Sequence, residues 1–146
     1  RTHEAWGDLC VAQEAYEEAL THYQAAADNA PDAANLTAKI GLLSPAIADA
    51  ETAAERLRTA WETLPAASPM RAWIAAARGW LIYQAQAGAE SNAEARAWWE
   101  RGRESAQTPG ARQALRALLD GDIPADYTML LAASQATASL ATMAQS

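Results

Sequence analysis

A 34-residue offset brings matching residues of this chain into register, and it constrains the fold more than any other feature of the sequence. At this offset, glycine, alanine and proline positions coincide: Gly7 with Gly41, Ala19 with Ala53, Ala26 with Ala60, and Pro31 with Pro65. Large apolar positions coincide as well, Trp6 with Ile40 and Tyr23 with Leu57. The chain contains only seven glycines and six prolines, so chance does not explain these coincidences. Such a period predicts stacked structural repeats with a continuous core.

The alanine content indicates that each repeat is helical. Forty of the 146 residues are alanine, whereas the chain has one valine, five isoleucines and no phenylalanine. Alanine is the strongest helix former and is depleted from strands. The composition therefore excludes an all-β fold and a parallel α/β fold.

Prolines, glycines and hydroxyl side chains mark the helix boundaries. Hydroxyl N-caps that precede a proline occur at Ser44-Pro45, Ser68-Pro69 and Thr108-Pro109. Ser91 and Glu94 form a capping-box pattern. Together these marks predict helices near 2–13, 15–29, 33–43, 45–63, 69–87, 92–106, 110–119 and 126–144. Residues 12–15 contain no glycine or proline, so the sequence allows residues 2–29 to form one helix or two.

The segment 15–26, AYEEALTHYQAA, resembles the second helix of a tetratricopeptide repeat. It combines small residues at Ala19 and Ala26 with large residues at Tyr16, Leu20 and Tyr23. Small residues let helices approach closely, and large ones fill the space between layers. The resemblance implies an all-α fold in which antiparallel helix pairs stack into a right-handed superhelix of about seven or eight helices.

The whole chain, 1–146, is predicted to be one helical-repeat domain. Its units span about 2–33, 34–68 and 69–108, and the third unit repeats the small–large–small spacing at Ala95, Trp99 and Gly102. Residues 109–146 match no repeat. We predict that they form C-terminal capping helices, because the last layer of a repeat stack must be covered.

The same resemblance implies a non-catalytic interaction module, a scaffold or adaptor that binds a peptide or a partner helix in its concave groove. First helices line that groove, which assigns partner contacts to Glu4, Asp8, Val11, Asn35 and Leu42. We add Trp98, because adjacent Trp98 and Trp99 cannot both point into the core and aromatic side chains are favoured interface anchors.

No pattern in the sequence predicts catalysis, and we expect no enzyme, no cofactor and no metal site. His3 and His22 are 19 residues apart and lack the spacing of a helical metal pair. Glu17 and Glu18 are neighbours on a helix and point about 100° apart, unlike a catalytic acid pair. Phosphate-binding loops, CxxC pairs and nucleophile elbows are absent from the sequence.

The charge distribution bears on the partner. The net charge of −7 and the isoelectric point of about 4.7 argue against nucleic acid, so we expect a protein or peptide partner. The charge balance is −7 over residues 1–65, +3 over 66–119 and −3 over 120–146. Residues 127–146 carry no charge but contain too many Gln, Ser and Thr side chains for a membrane span. We predict that they form a docked helix.

Alternative functions remain open from the sequence. The C-terminal helix carries an apolar stripe that would support a homodimer, formed by Met129, Ala133, Ala136, Leu140 and Met143. The chain begins with Arg1, which is consistent with an accessory domain of a longer enzyme or sensor. Ten arginines against one lysine, with the excess of alanine, indicate a GC-rich, bacterial coding sequence. The cytoplasm is favoured over a processed secreted or periplasmic location.

Overall fold

The computed structural model describes residues 2–29, 34–85 and 88–135. Within these ranges the chain is all-α, with eight helices and no strand. The first seven helices are α1 (Thr2–Ala12), α2 (Tyr16–Asp28), α3 (Ala34–Ile47), α4 (Ala50–Thr63), α5 (Met70–Ala85), α6 (Ala89–Ser105) and α7 (Pro109–Leu119). The last, α8, covers residues 127–135. The predicted fold class is therefore confirmed, whereas the predicted extension of the last helix to 144 lies outside the described residues.

The helices pack in the order of the chain. Contacts join α1 to α2, α3 to α4 and α5 to α6, and further contacts connect α2 with α3, α4 with α5 and α6 with α7. The first helices α3 and α5 also touch each other. The result is a repeat-like stack of helix pairs.

The second helix of each pair buries the same small–large–small pattern. The buried residues are Ala19, Tyr23 and Ala26 in α2, Ala53, Leu57 and Ala60 in α4, and Ala95, Trp99 and Gly102 in α6. The small residues permit close helix contact, and the large side chain fills the gap between layers. The sequence pattern thus identified the core of each pair correctly.

A glycine of the first helix faces the large aromatic residue in two of the three pairs. A Cβ atom added to Gly7 would lie 2.4 Å from the Tyr23 ring, and one added to Gly79 would lie 2.3 Å from Trp99 Nε1. Gly79 follows Gly41 by 38 residues, so the 34-residue offset does not reveal it. The third unit follows the same packing rule with a longer repeat.

α1 and α2 are two separate helices, which settles the reading of residues 2–29. Glu14 has a φ of 62°, the left-handed conformation that usually needs glycine. The Glu14 amide donates to the Val11 carbonyl at 3.0 Å, and the Ala15 amide donates to the Cys10 carbonyl at 2.8 Å. These two bonds are a Schellman ending. This ending has no sequence signal, because Glu14 occupies the position that glycine usually takes.

Two predicted helix starts are wrong. α3 continues through Ser44 and Pro45, and Asp49 caps α4 by accepting from the Thr52 amide at 3.4 Å. The Ser44 hydroxyl does not cap a helix because it donates to the Ile40 carbonyl at 2.6 Å. It also accepts from Arg56 Nη1 at 3.1 Å. α6 begins at Ala89, ahead of the predicted capping box at Ser91 and Glu94.

The other two hydroxyl–proline caps are confirmed. Ser68 Oγ accepts from the Met70 amide at 3.2 Å, and Thr108 Oγ1 accepts from the Ala111 amide at 3.2 Å. In both places the hydroxyl is free to satisfy a helix N–H that has no partner inside the helix.

Candidate partner-binding surface

The chain after α7 folds back over the first helices of the units. Trp80 of α5 donates from Nε1 to the Pro124 carbonyl at 2.8 Å, and its ring centroid lies 5.1 Å from that of Tyr127. The Tyr127 hydroxyl donates to the Leu42 carbonyl of α3. We call residues 124–135 the C-terminal segment and the surface it contacts the first-helix face.

α8 docks because one of its sides is apolar. Tyr127, Leu130, Leu131 and Ser134 are buried, whereas Met129 is 66% exposed. Spacings of three and four residues place the buried group on one side of a helix. α7 packs on α6 at the end of the stack, whereas α8 lies across α5 and α3. The C-terminal helices therefore do more than cover the last layer.

The predicted partner-binding residues lie in different environments. Val11 and Leu42 are buried, and the Leu42 carbonyl is bound by Tyr127. Asn35 is exposed. Glu4 and Asp8 are occupied by an internal ion pair. The residues thus do not line one open groove, and their role in partner binding stays a prediction.

A charged network joins the first three helices beside the C-terminal segment. Lys39 Nζ lies 2.8 Å from Glu4 Oε2 and 3.0 Å from both Asp8 carboxylate oxygens. The Tyr23 hydroxyl donates to Asp8 Oδ1 at 2.5 Å. Burial raises the pKa of Tyr23 above its ordinary value of 10.0, and the hydrogen bond to Asp8 raises it further. Lys39, the only lysine of the chain, therefore partly neutralises the two carboxylates of α1.

Trp98 lies in a second cluster, on α4, α5 and α6. The Trp61 ring meets the Trp98 ring edge-on at 5.2 Å between centroids. The guanidinium carbons of Arg78 and Arg101 lie 4.0 Å and 4.7 Å from the Trp98 centroid, as in cation–π pairs. Trp98 is half-buried, and its ring already has three neighbours. A partner contact at Trp98 stays a prediction.

The two histidines meet although they are far apart in sequence. His3 Nδ1 and His22 Nδ1 lie 3.3 Å apart, and the two rings stack with centroids 5.6 Å apart at 30°. The Trp6 ring meets His22 edge-on at 5.3 Å and is itself 54% exposed. Spacing within one helix could not reveal this pair, because α1 contributes one ring and α2 the other. Among the described residues, no three His, Cys, Asp or Glu side chains surround a common metal position.

Sequence reasoning missed the residues that hold the C-terminal segment in place. Neither Trp80 nor Tyr127 was predicted to have this role, because the hydrogen bonds of these two side chains to backbone carbonyls have no local sequence signal. The repeat pattern did predict that Tyr23 fills the space between helix layers, because it occupies a large position of the repeat.

An apolar groove of about 330 Å³ separates α7 from the C-terminal segment. Its lining includes Ala114, Leu118, Ile123, Met129 and Leu130.

In the part of the chain that the structure describes, every helix is too short or too polar to cross a membrane. No protein-family model, curated protein or solved structure matches the chain.

Proposed function

We propose that this chain is a non-catalytic protein–protein interaction module, a scaffold or adaptor that binds a helix or peptide of its partner on the first-helix face. One observation carries the proposal: that face already accepts a helix, the chain's own α8. The tetratricopeptide resemblance of the sequence points to the same face.

The contacts of α8 describe the chemistry a partner would need. Tyr127 supplies an aromatic ring for Trp80 and a hydroxyl for the Leu42 carbonyl. Leu131 supplies a fully buried aliphatic side chain. An amphipathic helix with an aromatic residue and a leucine one turn later would reproduce these contacts, as in other helix-in-groove complexes. A partner of this kind displaces the C-terminal segment.

Competition between the segment and an added peptide tests the proposal. In the full chain, Tyr127→Ala with Leu131→Ala removes both anchors of the segment. A synthetic peptide of residues 124–146 should then bind this variant with a saturable isotherm in calorimetry. The wild-type chain should bind the peptide at least about tenfold more weakly, because its tethered segment competes at a millimolar effective concentration.

Two controls define failure. A peptide that carries the same two alanines should not bind either chain. Circular dichroism should show that the variant keeps its helices. If the folded variant binds the native peptide no better than the wild-type chain does, the first-helix face is not a helix-binding site.

Self-assembly is the second candidate, favoured by the exposure of Met129 beside the apolar groove. Met129 and Ala133 belong to the stripe expected to mediate a homodimer, and the rest of the stripe lies outside the described residues. Light scattering should then report a dimer that Met129→Glu converts to a monomer. Ala132→Glu, an exposed position on the same helix, is the matched control. A wild-type monomer at high concentration would exclude this candidate.

A further inference from the structure

We propose that His3 and His22 form a two-histidine binding site for a late first-row divalent metal ion, with Zn²⁺ as the test ion. The site clips α1 to α2. The site does not use the first-helix face. The result of its test is therefore independent of the proposed function.

The separation of the two nitrogens suits one metal ion. Zinc binds imidazole nitrogen at about 2.0–2.1 Å in tetrahedral geometry, which places two such nitrogens roughly 3.3–3.4 Å apart. His3 Nδ1 and His22 Nδ1 lie 3.3 Å apart. The histidines come from different helices, so the packing of α1 on α2 sets the distance between them.

The protonation chemistry permits this use of the pair. A neutral imidazole carries one N–H and one lone pair. A direct Nδ1–Nδ1 hydrogen bond needs the proton on one Nδ1, whereas metal binding needs both protons on Nε2. Moving the proton within one ring therefore changes a hydrogen-bonded pair into a chelate without any change of net charge. Imidazole is a preferred ligand of zinc, nickel and copper.

The surroundings leave room for the ion. His3 is exposed, and the neighbouring Trp6 side chain is 54% exposed. Trp6 meets both imidazole rings edge-on, at 5.3 Å from His22 and 6.5 Å from His3, which restricts their tilt. Water would complete the coordination of an ion held by two protein ligands.

Calorimetric titration of the full chain with zinc chloride at pH 8 tests the site. We expect one ion per chain. His3→Gln and His22→Gln should each weaken binding by about tenfold or more, as losses in metal sites commonly do. Zinc should raise the melting temperature of the wild-type chain and of neither variant, because an ion that binds only the folded state stabilises it. The variants change surface side chains, and circular dichroism checks their folding.

Matched variants distinguish this site from a site at Cys10 and from an amino-terminal site. Cys10→Ala should bind zinc as the wild type does, because Cys10 is a buried thiol outside the pair. An amino-terminal site that uses His3 with backbone nitrogens would survive His22→Gln, and that survival would overturn the proposal. Absence of binding at millimolar zinc would overturn it too.

Nuclear magnetic resonance of the wild-type chain provides a readout without any substitution. Zinc should shift the Nδ1 resonances of both histidines and leave both Nε2 atoms protonated. A shift confined to one ring, or one centred on Nε2, would refute a chelate between the two Nδ1 atoms.

Discussion

At the level of single residues, buried Tyr127 joins the C-terminal segment to α3, and buried Tyr23 joins α2 to α1. Burial raises the pKa of Tyr127, and burial together with Asp8 raises that of Tyr23. Both hydroxyls are donors in the folded chain, to the Leu42 carbonyl and to the Asp8 carboxylate. A phenolate could make neither bond, so the folded state requires both tyrosines in the neutral form.

Stability should therefore fall as the pH rises above about 10, the ordinary tyrosine pKa. Above this pH the unfolded chain releases the two protons while the folded chain keeps them. The free energy of the unfolded state therefore falls relative to that of the folded state. Urea unfolding followed by circular dichroism between pH 8 and pH 11 measures the decline. Tyr23→Phe with Tyr127→Phe should flatten it, whereas Tyr83→Phe, at an exposed position, should not. An equal decline in all three chains would refute this account.

Gly79 is a position at which we expect any added side chain to destabilise the fold. A Cβ atom at this position would lie 2.3 Å from Trp99 Nε1, inside a packed core. Gly79→Ala should destabilise the chain by roughly 1–3 kcal/mol through overpacking, measured as a lower urea midpoint. In a Trp99→Phe background, which lacks the indole nitrogen, the added cost should shrink. A cost independent of residue 99 would place the clash elsewhere.

At the scale of elements, the end of α4 is closed by a side chain from the next helix. Arg71 of α5 donates from Nη1 to the Trp61 carbonyl at 2.8 Å and to the Leu64 carbonyl at 3.1 Å. Its guanidinium also stacks on the Trp61 ring, with the carbon 3.7 Å from the centroid. The planar group thus satisfies carbonyls at the end of α4 and joins α4 to α5.

Arg71→Lys should cost roughly 1–2 kcal/mol, because an ammonium cannot make the stacked, forked contact. Thermal unfolding measures the cost, and hydrogen exchange should become faster in the last turn of α4. Arg58→Lys, which alters only an exposed pair with Glu55, serves as the control and should leave both observables unchanged. An Arg71→Lys chain as stable as wild type would show that these contacts contribute nothing.

The helices were predictable from the sequence because their signals are local. Alanine content, the Ser68 and Thr108 caps, and the small–large–small spacing each act within one or two turns. The errors arose where a distant residue intervened. Ser44 looked like a cap, but Arg56 occupies its hydroxyl. The end of α1 at Glu14 is local, but a left-handed residue that is not glycine has no signal in the sequence.

At the scale of the whole molecule, the C-terminal segment ties the end of the chain to its beginning. Tyr127 and Leu42 are 85 residues apart, and Trp80 and Pro124 are 44 apart. No periodicity encodes contacts at such distances. The sequence therefore predicted a docked helix but not the surface on which it docks.

Tyr127→Phe should loosen the C-terminal segment without melting the stack. It removes the hydroxyl that binds the Leu42 carbonyl and keeps the ring that packs on Trp80. Hydrogen exchange should become faster at residues 127–135 and stay unchanged in α4, with a stability loss of about 1 kcal/mol. Thr128→Ala serves as the control beside it. Equal acceleration in α4 would mean that the segment and the stack unfold as one unit.

The ion pairs of Lys39 also decide how the chain can be tagged. It is the only lysine, and its side chain is 17% exposed between Glu4 and Asp8. Acylation of its amine would remove the positive charge that holds three helices together. A dye or support coupled to the Lys39 amine would therefore report on opened molecules, so a probe of the native fold is better attached through a cysteine introduced on an exposed helix face.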